Sequence, residues 1–152
     1  MAIPLEGRLW WRRTAPFHVQ LELEKTHDLL RVPDVTRVLG CVIRVFRTDG
    51  RLTGGDRVAF SLWVCRKGDE PTGAAFIYYD DFVRATLMEA YLHGNPPECE
   101  LAAYEFSVIA VPTSEPTLTV GELEDMLARL GKPEARTPRA FRAKKWWQLW
   151  KI

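Results

Sequence analysis

A run of strict alternation from Arg57 to Cys65 constrains this chain more than any other stretch. Val58, Phe60, Leu62 and Val64 share one parity, and Arg57, Ala59, Ser61, Trp63 and Cys65 share the other. Side chains of a strand point alternately to opposite faces, so this is a strand with one strongly apolar face. Leu39 to Arg47 reads as its partner. Leu39, Cys41, Ile43 and Val45 fall on one face, while Val42 and Phe46 flank Arg44 on the other. Between them lie Thr48-Asp49-Gly50 and Gly54-Gly55-Asp56, and Asp-Gly supplies the positive φ that tight turns demand. A long β-hairpin is therefore expected over Val35 to Cys65.

Other elements follow from the same arithmetic. Residues 1–16 show no clear period. Phe17, Val19, Leu21 and Leu23 alternate with His18, Gln20, Glu22 and Glu24, which predicts a half-buried strand with a polar outer face. Thr26 to Asp34 is a connection, with Pro33 blocking regular pairing. Ala74 to Tyr79 reads as a short strand after a polar turn. Asp80 and Asp81 can cap a helix start, and Phe82, Val83, Leu87, Ala90 and Tyr91 recur at spacings of three and four. That spacing predicts a helix to about His93, closed by Gly94 and stopped by Pro96-Pro97. Cys99 to Val111 reads as a further strand. Thr119 and Glu122 form a capping box before an apolar stripe of Val120, Leu123, Met126, Leu127 and Leu130.

The expected class is therefore mainly β with two helices (α+β), as one β-rich domain over 1–131 followed by a linker and tail over 132–152. Three consecutive strands, a helix and another strand, with the 17–25 strand closing the set, resemble the OB-fold order across roughly residues 17–111. That resemblance implies a small antiparallel barrel. The competing arrangement is an antiparallel sheet with the helices on one face.

Net charge hides an asymmetry. Residues 132–152 hold seven Lys/Arg and a single acid, Glu134, a formal +6, which leaves residues 1–131 at −5. An acidic body with a basic tail is a statement about partners, not about fold. No apolar run reaches the roughly 18 residues needed to span a bilayer, and MAIPLEGRLWWRR has no apolar h-region of a secretory signal. Cys41, Cys65 and Cys99 are odd in number and widely spaced, so a disulfide framework is not expected and a reducing, cytoplasmic setting is.

Five of the six tryptophans lie in two terminal clusters, each among basic residues. One is Trp10, Trp11, Arg12 and Arg13. The other is Arg142, Lys144, Lys145, Trp146, Trp147 and Trp150. Placed on a helix, Ala143, Trp146, Trp147 and Trp150 fall within an arc of roughly 100°, with cations on both flanks. Indole rings beside cations suit a contact surface. The expected role is a non-catalytic binding or assembly module whose partner is another protein chain, or a second copy. An anionic membrane surface or a nucleic acid are the other partners this chemistry fits. The structural alternative is that the tail packs back on the body or against Trp10-Trp11.

Two further readings stay open. An OB-like module binding single-stranded nucleic acid could use Arg44, Arg47, Arg51, Arg57, Trp63, Arg66 and Lys67, although the −5 body opposes phosphate. An enzyme could act on a small molecule near the 78–93 strand–helix junction, through Tyr78, Tyr79, Asp80, Asp81 and His93. His18, His27 and His93 lack the spacing of a metal site, and there is no GxSxG, P-loop or GxGxxG, so neither metal nor cofactor is expected.

Overall fold

The long hairpin is present, and its first strand does more than pair with the second. A computed structural model describes residues 3–24 and 33–130. Its elements, in order, are α1 (Leu5–Thr14), β1 (Phe17–Glu24), β2 (Asp34–Arg47), β3 (Arg57–Cys65), β4 (Phe76–Tyr78), α2 (Tyr79–Arg84), β5 (Leu87–Asn95), β6 (Glu98–Ile109) and α3 (Val120–Leu130). Asp34 to Cys41 of β2 pair with β3, whereas Leu39 to Arg47 pair with β1 on the other edge. Register shifts in β1 beside His18 and Gln20 accompany this change of partner. The hairpin closes where Gly55 N–H donates to the Val42 carbonyl at 2.7 Å, with Gly55 at φ +92°.

The sheet order is β2-β1-β5-β6-β3-β4, and β2 also pairs with β3. The hydrogen bonds thus form a ring, β1–β2–β3–β6–β5 and back to β1. The sheet is mixed, not antiparallel as expected: β3 runs parallel to both β4 and β6. The β3–β6 link is a single bridge, Ala59 opposite Glu98, with Ala59 N–H donating to the Pro97 carbonyl at 2.8 Å. Inside the ring, Phe17, Leu21, Phe60, Leu62, Met88 and Leu92 are fully buried. Burying one such side chain contributes about 1.5–3 kcal/mol, so this cluster is the main source of stability.

The helix expected from Asp80 to His93 is instead a six-residue helix, α2, followed by strand β5. Met88, Glu89, Ala90, Tyr91 and Leu92 are all buried, because one face of β5 looks into the ring and the other lies under a covering layer. A strand buried on both faces loses its alternation. Its residues can then match a helical spacing by accident. Helix α1 was not foreseen, for a related reason. Its buried positions are Gly7, Leu9 and Arg12, which do not read as an apolar stripe. Helix α3 falls where its capping box puts it, with Glu122 N–H donating to Thr119 Oγ1 at 3.2 Å.

The described residues hold three helices, not two, and they do not share one face. Helices α1 and α3 pack on each other, with α1 on β6, while α2 packs on β3 and β4. None of them is long and apolar enough to cross a membrane.

Candidate functional site

Helix α1 carries the N-terminal Trp/Arg cluster and divides it between interior and surface. Arg12 is 1% exposed. Its Nη2 donates to Glu105 Oε2 at 2.7 Å and its Nη1 to the Thr119 carbonyl at 2.6 Å. Arg8 pairs with the other oxygen of the same carboxylate. Glu105 therefore takes both arginines of one helical face, four residues apart, and pins α1 to β6. Arg13 points outward and pairs with Glu124 of α3 at 2.5 Å.

The two indoles sit edge-on, with ring centroids 4.8 Å apart and planes at 74°. Trp11 stacks on His93 at 4.8 Å and packs against Ala15, Tyr91 and Ala102. Its buried Nε1 meets no acceptor among the described residues. Trp10 is half-buried at the helix surface. The second cluster, Arg142, Lys144, Lys145, Trp146, Trp147 and Trp150, lies outside the described residues.

Beneath α1 and the 110–119 segment lies a polar layer that the sequence reading missed. Glu89 is fully buried and accepts from His18 Nε2 at 2.9 Å, Gln20 Nε2 at 3.2 Å, and the Thr117 and Leu118 N–H groups at 2.9 and 2.8 Å. Burial alone would push this carboxyl up. The donors from His18, Thr117, Leu118 and Gln20 outweigh it and hold Glu89 down at about 2. An ionised carboxylate only accepts, so His18 carries a proton on Nε2. Tyr91 stacks on His18 at 3.9 Å and donates its hydroxyl to the Leu118 carbonyl at 2.8 Å, and burial pushes its phenol up to about 12. Gln20 completes the set by binding Thr113. The outward residues of β1 and β5 thus act as fasteners for the covering segment. Alternation along β1 marked His18 and Gln20 as outward-facing, but nothing in the sequence marked that face as covered.

Of the five residues read near the 78–93 junction, four come together. Tyr78, Tyr79, Asp80 and Asp81 line a cavity of about 730 Å³ with Arg66, Lys67 and Arg84. Tyr78 donates its hydroxyl to Glu70 at 2.8 Å, which raises its phenol pKa. His93 lies elsewhere, between Trp11 and Glu100. The arginines named for a nucleic-acid groove are also dispersed. Arg47 donates to the Ala15 carbonyl, Arg51 pairs with Asp49, Arg57 pairs with Glu24, and Arg66 lies over the Tyr79 ring.

Among the described residues, no group of three His, Cys, Asp or Glu side chains could hold a metal ion. Compared with known proteins, the chain matches no family model and no curated sequence.

Proposed function

We propose that this chain is a binding and assembly module, without catalysis of its own, built on an OB-like barrel and working in the cytoplasm. Its Trp/basic terminal segments make the contact, and its partner is another protein chain. The single observation that carries the reading is the pedestal under Trp10. Buried Glu105 fixes α1 through Arg8 and Arg12, and this fixed helix holds two adjoining indoles with Arg13 at its surface. Rigid aromatic anchors flanked by cations are the residues that dominate protein contacts. The barrel reading is supported by the ring order, by β3 running parallel to β6, and by α2 between β3 and β5. The cytoplasmic reading is supported by the three free cysteines.

The test is removal of residues 139–152. Loss of self-association, or of capture of a partner protein, is the expected result. Unchanged oligomeric state together with unchanged binding to lipid vesicles, RNA and DNA would end the proposal.

The 730 Å³ cavity supports a second reading, an enzyme acting on a small molecule. It gathers two tyrosines and two aspartates beside Arg66, Lys67 and Arg84. Saturable binding of a metabolite lost in Asp81→Asn and Tyr79→Phe would favour that reading over assembly.

A further inference from the structure

The outer face of β2 and β3 carries a groove that the preceding reading leaves without an occupant. Val35 lies directly opposite Trp63 in the β2–β3 register. Both line a groove of about 520 Å³ together with Tyr104, Glu98 and Glu100. Tyr104 reaches it through an unusual backbone. Ala103 and Tyr104 are consecutive non-glycine residues at φ +52° and +60°, within an irregularity of β6 where Tyr91 alone faces residues 102–105. Such φ values are costly for residues with a Cβ. Here they turn the Tyr104 ring outward, where its hydroxyl donates to the Gly73 carbonyl. Val35 and Tyr104 are exposed, so the face offers an aliphatic and aromatic surface to solvent.

Two carboxylates stand in its lining, Glu98, which pairs with Arg37, and Glu100, which meets His93 at 3.6 Å. Aromatic rings beside carboxylates favour cations and other aromatics. The chain itself contains such a segment. Residues 139–152 include three tryptophans and five Lys/Arg, and the formal +6 of 132–152 opposes the −5 of the body.

We infer that the Trp/Lys segment 139–152 of one copy docks in the Val35–Trp63–Tyr104 groove of a second copy. The inference rests on the assembly reading above and names the partner as a second copy of this chain. Segment 132–152 leaves from the end of α3. That helix packs on α1, which lies on β6, whereas Val35 and Trp63 of the groove belong to β2 and β3. Reciprocal exchange between two copies satisfies both grooves and closes the assembly.

Two full-length variants test it. Glu98→Lys/Glu100→Lys alters the groove at side chains 64% and 78% exposed, where folding tolerates substitution. Trp146→Ala/Trp147→Ala/Trp150→Ala alters the segment. Light scattering is expected to show a dimer for the parent chain and at least tenfold weaker association for each variant. An equimolar mixture of differently labelled variants is expected to regain energy transfer, because one intact groove meets one intact segment. If the segment variant is monomeric while the groove variant still dimerises, the assembly reading stands and the groove assignment falls. If the segment variant dimerises like the parent, the docking falls and self-association is left to the Trp10 face of α1. A monomeric parent chain overturns the second copy as partner, and leaves the segment to pack on its own body or on a different protein.

Discussion

Glu89 Oε2 and His18 Nε2 meet at 2.9 Å, with side chains 0% and 5% exposed. The pair bridges two neighbouring strands, since Val19 lies opposite Ala90 and Gln20 opposite Glu89 in the β1–β5 register. The same carboxylate also holds Thr117 and Leu118. One ionised group thus ties the sheet to the segment that leads into α3.

That tie makes stability depend on acid. The folded Glu89 carboxyl lies at about 2, below its ordinary value of 4.5. A depressed carboxyl contributes stability that is present above about pH 4.5 and is lost as pH falls toward 2. One pKa unit is worth about 1.4 kcal/mol, so the contribution is on the order of 3 kcal/mol. Urea midpoints measured between pH 6 and pH 2 are expected to fall steeply in the parent protein. Glu89→Gln is expected to be less stable at pH 6, by about 2–4 kcal/mol, because its amide cannot accept the same donors. Its midpoint should then vary less over this range. Equal acid slopes in the two proteins would refute the assignment.

Arg12 and Glu105 form a second tie, between α1 and β6. Arg12→Met leaves a buried carboxylate served by Arg8 alone and removes the donor to Thr119. A loss of about 3–5 kcal/mol is expected. Arg12→Met/Glu105→Leu removes both charges and is expected to recover most of that loss. A double-mutant cycle in urea measures the coupling directly. A single-variant cost below about 1 kcal/mol would mean that α1 is held by its apolar contacts instead.

These two ties also explain which parts of the fold were legible. The β2–β3 hairpin and α3 bury one face and expose the other over much of their length, and β1 keeps its alternation because its covered face carries the polar His18 and Gln20. Their periods of two or 3.6 survive in the sequence, as in Val58, Phe60, Leu62 and Val64. Strand β5 and helix α1 break the rule through buried charge. Glu89 and Arg12 read as solvent-facing residues, and each is buried against a hydrogen-bonding partner distant in sequence. The partner of Arg12 is 93 residues away and that of Glu89 is 71. No local pattern encodes such pairs. The candidate surface was half legible: the sequence marked Trp10 to Arg13 as a cluster, but not that Arg12 turns inward while Arg13 stays at the surface. The Tyr104 side of the groove was invisible, because residues 103 and 104 leave the extended backbone that the alternation of β6 implies.

Gly40 sits mid-strand in β2, between Leu23 and Val58 in register. A Cβ there would lie 3.1 Å from Leu21 Cβ, tighter than ordinary contact and against an atom fixed to the backbone. Gly40→Ala is expected to destabilise the protein by about 1–3 kcal/mol through overpacking. Gly54→Ala, where a Cβ meets nothing within 4 Å, is expected to change stability by less than about 0.5 kcal/mol. Thermal unfolding of the two variants side by side checks the contrast. Equal melting temperatures would show that Leu21 can move aside.

The three cysteines differ in reach, and this predicts their chemistry. Cys65 and Cys99 are buried, and burial raises both thiols, Cys99 to about 11. At pH 7 a thiol of that pKa is ionised in about one molecule in 10,000, and the thiolate is the reacting form. Cys41 is half-buried on β2, beside the Gly55 carbonyl. In the folded protein at pH 7, a thiol-specific reagent is expected to label Cys41 alone, and in denaturant all three. Fast native labelling of Cys99 would show that strands β5 and β6 part at the Gly94 turn more readily than their pairing allows, since Cys99 lies opposite Gly94 there. Exchange of the same reagent across a denaturant series separates the two cases. Local opening leaves the rate flat at low denaturant, whereas global unfolding makes it climb with the full urea dependence of stability.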